Sequence, residues 1–228
     1  ALAAKGIKVF MVSGNHDSDE RLNFGSTLFA SSQIFISAVF DGTLHRQSFT
    51  DGDTEIAVYM LPFVKASQVR HYFPDEDINS YDDAVRTIIR NTLIDKRNKN
   101  ILVAHQFVAG KGEDPALAGS ESVGTQSVGM VEKIGYDCFG DFDYVALGHI
   151  HSPQKVGREE IRYAGSPLKY SLSEANNEKS VCLITISAEE GVKIEPVPLK
   201  PMRDLRHIKG KLKELLDKKN VKAPDDFI

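Results

Sequence analysis

Three groups of histidine and asparagine side chains stand out because each directly follows a short apolar run. The groups are Asn15-His16-Asp17, His105, and His149-Ile150-His151. Amide oxygen and imidazole nitrogen atoms are donors that divalent metals accept in proteins. The runs before them have the length and β-branched composition of buried strands. Since open α/β sheets bind ligands beyond the carboxyl ends of their strands, the sequence predicts that the three groups meet at one metal site.

The spacing inside the groups separates metal ligands from a residue that transfers protons. His149 and His151 are two positions apart, so both would point the same way from an extended backbone after a sharp turn at Gly148. Asn15 offers an oxygen ligand, whereas the adjacent His16 points elsewhere and is free for proton transfer. Asp17 could orient the His16 ring and favour its charged form.

Each group alone has an ordinary structural explanation, such as a loop turn or a core histidine. All three in this order, each after an apolar strand, favour the metal site over those explanations. The remaining histidines lack such a context and are interpreted as surface or structural residues: His45, His71 and His207.

The elements that must position these groups alternate between strands and a helix, which predicts an α/β fold. A helix is predicted from Tyr81, with Ser80 as its N-cap and Asp82 and Asp83 in its first turn. Its apolar stripe comprises Val85, Ile88, Ile89 and Leu93, and its basic end Lys96, Arg97 and Lys99. Further strands are predicted at Ile7–Val12, Ile34–Phe40, Glu55–Leu61, Ile101–Ala104, Tyr144–Leu147, Ile161–Ala164, Val181–Ile186 and Val192–Val197. The stretch from Ala109 to Gly129 is predicted to be a long loop.

Composition limits the class of protein without naming a substrate. The 228 residues include 41% apolar and 26% charged side chains, which is typical of a soluble globular protein. The net charge of -4 neither indicates nor excludes nucleic-acid binding. Two scattered cysteines, Cys138 and Cys182, favour a reducing cytoplasm over a disulfide framework. No apolar run approaches the ~18 residues that cross a membrane, so no membrane association is expected.

The prolines near residue 200 predict a domain boundary, with one domain at 1–198 and the start of a second at 199–228. The second stretch is basic, which is typical of a solvated helix face but would also suit a surface that binds DNA or a protein partner. Its basic residues are Lys200, Arg203, Arg206, Lys209, Lys211 and Lys213.

The ordered motifs resemble those of the calcineurin-like metallophosphoesterase superfamily. Within it, the runs Ala146–Gln154 and Tyr163–Ser171, followed by Ser173-Glu174-Ala175, are similar to the SbcD family of bacterial nuclease subunits. Ser122-Val123-Gly124 and Glu178-Lys179-Ser180-Val181 fit the same family. The resemblance implies a metallophosphoesterase β-sandwich flanked by helices, followed by the start of a small capping, DNA-binding domain.

The resemblance also implies roles and partners. Asn15, His105 and His149 would bind one metal and His151 the other. His16 would be the catalytic histidine, oriented by Asp17. The implied cofactors are two Mn²⁺ ions, for which Mg²⁺ or another divalent metal could substitute. The implied activity is DNA exonuclease and endonuclease cleavage during end and hairpin processing. The implied partners are DNA, an SbcC-type ATPase and a second copy of the subunit within a heterotetramer.

The sequence departs from the family pattern at its start. The family has an upstream Asp-X-His and a Gly-Asp-X-X-Asp, and neither precedes Ile7. We therefore expect that the first βαβ portion and two metal-binding motifs lie upstream, and that the capping domain continues past Leu216. Two alternatives remain open at this point: a phosphoesterase for small molecules, and a catalytically incomplete module that binds DNA or the ATPase.

Overall fold

The computed structural model describes residues 2–110, 112, 114–117, 133–187 and 190–215. Its strands are β1 Val9–Val12, β2 Ile34–Ser37, β3 His45–Asp51, β4 Thr54–Leu61, β5 Lys99–His105, β6 Val108–Ala109, β7 Ile134–Gly135, β8 Tyr144–Gly148, β9 Gln154–Val156, β10 Arg158–Tyr163, β11 Ser180–Ser187 and β12 Gly191–Pro198. Its helices are α1 Asp19–Asn23, α2 Ser26–Ala30, α3 Ala66–Tyr72 and α4 Tyr81–Arg90. Short 3₁₀ turns occupy Ala3–Lys5, Tyr136–Phe139 and Leu172–Glu174.

A six-stranded mixed sheet forms the centre, in the order β3-β4-β5-β8-β10-β9. Neighbours among β4, β5, β8 and β10 run parallel, and the edge strands β3 and β9 run antiparallel. Apolar side chains on both faces of β4 and β8 explain their central places, since parallel strands are covered on both sides. In the β5–β8 register, His105 lies opposite Gly148, so both strands end at the same edge of the sheet.

A second, parallel pair formed by β1 and β2 lies beside β4 and β5. Three hydrogen bonds fix the end of β1. The Ser13 amide donates to the Ser37 carbonyl over 3.3 Å, and the Ser13 hydroxyl donates to the Ala38 carbonyl over 2.7 Å. The Phe63 amide, just past β4, donates to the Ser13 carbonyl over 3.0 Å. These bonds bring Gly14 and Asn15 to the edge where β5 and β8 end.

Helix α4 confirms the predicted start and corrects the predicted end. The Ser80 hydroxyl accepts from the Asp83 amide over 3.0 Å, and the Asp83 carboxylate accepts from the Ser80 amide over 2.9 Å, which forms a capping box. The helix ends at Arg90 because Asn91 and Thr92 donate from their side chains to its last carbonyls. The predicted stripe is therefore wrong at Leu93, which is 89% exposed.

The basic residues that were predicted to end this helix lie elsewhere. Lys96 and Arg97 belong to a turn closed by the Asp95 carboxylate, and Lys99 begins β5. Sequence patterning also missed β3 and the short helices α1, α2 and α3. Most of the loop predicted from Ala109 to Gly129, including Ser122-Val123-Gly124, lies outside the described residues.

The stretch after β12 is irregular up to Lys211, followed by one helical turn at Leu212–Leu215. The interpretation of this basic stretch as a helix face is therefore wrong for residues 199–210. The Leu199 amide donates to the Lys179 carbonyl over 2.8 Å, and Lys169 pairs with Asp204 over 3.0 Å, so the stretch turns back onto the preceding structure. A boundary at 198 stays a prediction.

The predicted α/β class is confirmed by the central mixed sheet with few helices. Within the described ranges, no helix has the length and apolar character needed to cross a membrane. What matters for the site is that β1, β5 and β8 all end at one edge of the molecule.

Candidate metal centre

The ends of β1, β5 and β8 bring three of the predicted ligands together. The Asn15 side-chain oxygen lies 3.0 Å from Nε2 of His105. The rings of His105 and His149 meet edge to face, with centroids 5.3 Å apart and planes at 75°. Asn15 and His105 are 90 positions apart in the chain, so their contact is a product of the fold.

Two glycines make room for the His105 ring. A Cβ atom on Gly14 would lie 2.8 Å from Cε1 of His105 and about as close to both ring nitrogens. A Cβ on Gly148 would lie 2.8 Å from Nδ1 of the same ring. Neither glycine has a positive φ, so it is this close approach that requires them. The His105 ring is therefore confined between the ends of β1 and β8.

The loop after β1 is closed by Asp17. Its carboxylate accepts from the Gly14 amide over 2.7 Å, and its own amide donates to the Gly14 carbonyl over 3.2 Å. The hydrogen bond from the Gly14 amide to the Asp17 carboxylate thus shapes the loop. Orientation of His16 by Asp17 stays a prediction. His16 is exposed beside Asn15, a position that suits contact with a substrate.

Burial keeps the His105 imidazole neutral at physiological pH. The pKa of His105 is lowered to about 4, chiefly by desolvation and further by the neighbouring charges of His149, His16 and His151, while Asp17 opposes them. A neutral imidazole keeps a lone pair on one nitrogen, which is the form that binds metals. These mutual effects also show that the predicted site residues share one region.

His149 adopts a backbone conformation that is rare for a residue with a side chain. Its φ angle is 94°, which costs on the order of 1–3 kcal/mol and is typical of functional sites. The turn predicted at Gly148 therefore occurs one residue later. The expectation that His149 and His151 point the same way from an extended backbone is wrong for this reason. The His149 ring instead contacts His105 and Phe107.

His151 lies among residues that sequence analysis did not assign to the site. Its Nδ1 is 3.5 Å from a carboxylate oxygen of Glu174, and its ring meets that of Tyr170 with centroids 5.6 Å apart. Glu174 is fully buried and pairs with Lys179. Tyr170 and Glu174 fall in stretches that carried the family resemblance. That resemblance was the one feature of the sequence that could have pointed to them.

A buried tyrosine holds the segment after His105. The Tyr163 hydroxyl accepts from the Val108 amide over 2.6 Å and lies 3.1 Å and 3.0 Å from the carbonyls of Gln106 and Val108. Burial raises the pKa of this hydroxyl, so it stays protonated. The chain beyond β5 is thereby tied to β10, which keeps the His105 end of β5 in place.

The donors fit part of a divalent-metal site. Adjacent ligands of an octahedral ion with bonds of ~2.1 Å are ~3.0 Å apart. The Asn15 oxygen and the His105 nitrogen have this separation. Among the residues that the structure describes, however, no three His, Cys, Asp or Glu side chains are grouped to hold a metal by themselves. The donors brought together are thus an amide and imidazoles, which make up part of such a site.

A mixed α/β sheet that gathers Asn15, His105 and His149 at its strand ends, with Gly-Asn-His-Asp and Gly-His-X-His in order, has the features of a calcineurin-like metallophosphoesterase. No protein-family model matches the chain. Over 227 residues, 97% of the chain, the sequence is 34% identical to the SbcD component of the nuclease SbcCD from Staphylococcus epidermidis. This similarity confirms the resemblance to the SbcD family that the motifs indicated. It spans 57% of the length of that relative.

Proposed function

We propose that this chain forms part of the catalytic domain of a metal-dependent DNA nuclease subunit. In this proposal the protein hydrolyses phosphodiesters at DNA ends and hairpins together with an SbcC-type ATPase, in the cytoplasm and as a homodimer within a heterotetramer. The observation that carries it is the convergence of Asn15, His105 and His149 in a chain with SbcD-like sequence.

The proposed roles follow from position. Asn15, His105 and His149 would hold one ion, and His151 a second, with Mn²⁺ as the proposed metal and Mg²⁺ as the alternative. Bound divalent ions would supply Lewis acidity toward the phosphate and lower the pKa of a water molecule. His16, exposed at the rim, would donate a proton to the leaving oxygen or stabilise negative charge at the phosphate. Asp17 would hold His16 through the loop that it closes.

The test is Mn²⁺-dependent cleavage of linear duplex and hairpin DNA by the full-length protein and by its His16→Ala variant. Loss of a proton-transfer group lowers kcat by about 10²–10⁴-fold, while DNA affinity should persist. His45→Ala is a matched control, because His45 is exposed and pairs with Asp41. Equal cleavage rates for the wild-type protein and His16→Ala would reject the role of His16.

Two further measurements distinguish the nuclease from the alternative functions. Turnover of cyclic nucleotides or phosphomonoesters without cleavage of DNA would assign a small-molecule substrate. Binding of DNA or an SbcC-type ATPase without metal-dependent turnover would assign a non-catalytic module. The similarity to an SbcD protein favours the nuclease over both.

A further inference from the structure

We propose that Glu174 is a positioning residue for His151, and that Lys179 holds the Glu174 carboxylate in place. The pair sets which nitrogen of the His151 ring carries the proton. The inference rests on the proposed ligand role of His151, but it concerns an arrangement that is present without a metal.

The pair is unusual because both charges are buried. The side chains of Glu174 and Lys179 are 0% and 4% exposed, and Nζ of Lys179 lies 2.5 Å from a Glu174 oxygen. Removing two charges from water is costly, and apolar residues of similar volume often serve stability equally well or better. The buried carboxylate therefore points to a role beyond stability, in the residues that surround it.

The two Glu174 oxygens face different partners. Oε2 accepts from Lys179 over 2.5 Å, and the Ser166 hydroxyl is 3.5 Å from it. Oε1 faces Nδ1 of His151 at 3.5 Å and the Ser171 hydroxyl at 3.4 Å. Lys179 thus fixes one side of the carboxylate and leaves the other directed at the His151 ring.

Lys179 also holds the backbone of His151. Its ammonium group donates to the His151 carbonyl over 3.0 Å and to the Ser166 hydroxyl over 2.8 Å, and with Glu174 these make three acceptors for its three protons. The Ser166 amide donates to the same carbonyl over 3.1 Å. Gly165 allows this approach, because a Cβ there would lie 2.9 Å from the His151 oxygen.

These contacts determine which nitrogen of the His151 ring carries the proton. A carboxylate facing Nδ1 favours the tautomer that carries its proton on Nδ1 and has its lone pair on Nε2. The edge-to-face contact with Tyr170 restricts ring rotation from another side. The His151 side chain is 29% exposed, so solvent reaches part of the ring. Carboxylates behind ligating histidines commonly orient them in this way.

The experiment compares two double variants of the chain. Glu174→Gln alone would leave the Lys179 charge buried beside a neutral amide, so Lys179→Met accompanies each change. Glu174→Gln with Lys179→Met keeps an oxygen that can accept from His151, whereas Glu174→Met with Lys179→Met does not. Both variants lack the buried charges, so they differ mainly in that acceptor. Asp204→Asn, which breaks the Lys169–Asp204 pair, controls for loss of a neighbouring ion pair.

The first readout is the tautomer of His151 in metal-free protein, from long-range ¹H–¹⁵N correlation spectra assigned with His151→Gln. The wild-type protein, Asp204→Asn and the Gln-containing double variant should show the proton on Nδ1, and the Met-containing variant should not. The second is the affinity of the Mn²⁺ ion bound at His151 itself, measured from the paramagnetic broadening of its ring resonances during titration, which should fall about 10–100-fold in the Met-containing variant. Melting temperatures show that each variant is folded.

An Nε2-protonated His151 in the wild-type protein would overturn the inference. So would identical tautomers in the two double variants. DNA cleavage is not a readout, so failure of the proposed nuclease function would leave these outcomes unaffected.

Discussion

The confinement of His105 between two glycines gives a direct test of the candidate centre. In Gly14→Ala the new methyl group would meet the ring at 2.8 Å, and the ring must move by about 0.6 Å to reach the 3.4 Å of ordinary contact. Gly148 and Asn15 border the same ring, so such a shift disturbs the 3.0 Å approach of His105 to Asn15.

The expected effect has two parts. Overpacking of this kind costs about 1–3 kcal/mol, which corresponds to a fall of about 2–12 °C in melting temperature for a chain of this size. Displacement of a ligand should also weaken Mn²⁺ binding, by about 10-fold or more. Thermal unfolding followed by circular dichroism and calorimetric titration with Mn²⁺ measure the two effects separately.

Gly140→Ala is the matched control. A Cβ at Gly140 would meet its nearest neighbour at an ordinary 3.7 Å, and its backbone is right-handed helical, so alanine fits. This variant should keep Mn²⁺ affinity and gain slightly in stability, by about 0.4–1 kcal/mol. If Gly14→Ala matched Gly140→Ala in both stability and Mn²⁺ binding, the confinement of His105 would be refuted.

Three further predictions concern the rest of the structure. Tyr163→Phe should lower the free energy of unfolding by about 1–3 kcal/mol in urea titrations, because the buried Val108 amide loses its acceptor; no change would contradict this. The hydrogen bond from Ser80 holds the pKa of Asp83 below 3.8, so the stabilisation by this cap is present above that pH and lost as pH falls through the folded pKa. Asp83→Asn should accordingly be less stable than wild type at pH 7, by about 1 kcal/mol, with a gap that closes in denaturant titrations as the pH falls through the folded pKa of Asp83; a constant gap would contradict the assignment. Calorimetry on this chain should find at most one tight Mn²⁺ site, since two dications ~3.7 Å apart repel by roughly 18 kcal/mol at an effective dielectric of 20 and the proposed ligands are amide and imidazole groups; two tight sites would refute it.

The sequence pattern was sufficient to predict those elements whose structure is decided by neighbouring residues. The start of α4 follows from the Ser80–Asp83 capping box, and β8 follows from its apolar run. The end of α4 was mispredicted because Asn91 and Thr92 compete for the last helical carbonyls, an effect that hydrophobic periodicity does not contain.

The sequence predicted which residues lie at the strand ends that form the site, but not how their side chains pack. Asn15, His105 and His149 were located from polar residues that follow buried strands. The confinement of the His105 ring and the left-handed backbone of His149 depend on contacts between distant segments, so residue spacing could not reveal them. The Glu174–Lys179 pair was missed because a charged residue in a polar stretch is normally exposed.

The charges around the candidate centre would link the proposed metal binding to phosphate binding. Glu174 is neutralised by Lys179 at 2.5 Å, and the Asp17 carboxylate accepts from the Gly14 amide, so neither is placed as a free anionic ligand. His105 is neutral at physiological pH, and Asn15 carries no charge. A divalent ion held by these donors, as proposed, would therefore keep most of its positive charge and would attract a phosphate group. Because coupling between two ligands is reciprocal, a bound phosphodiester should strengthen metal binding as much as the metal strengthens binding of the phosphodiester.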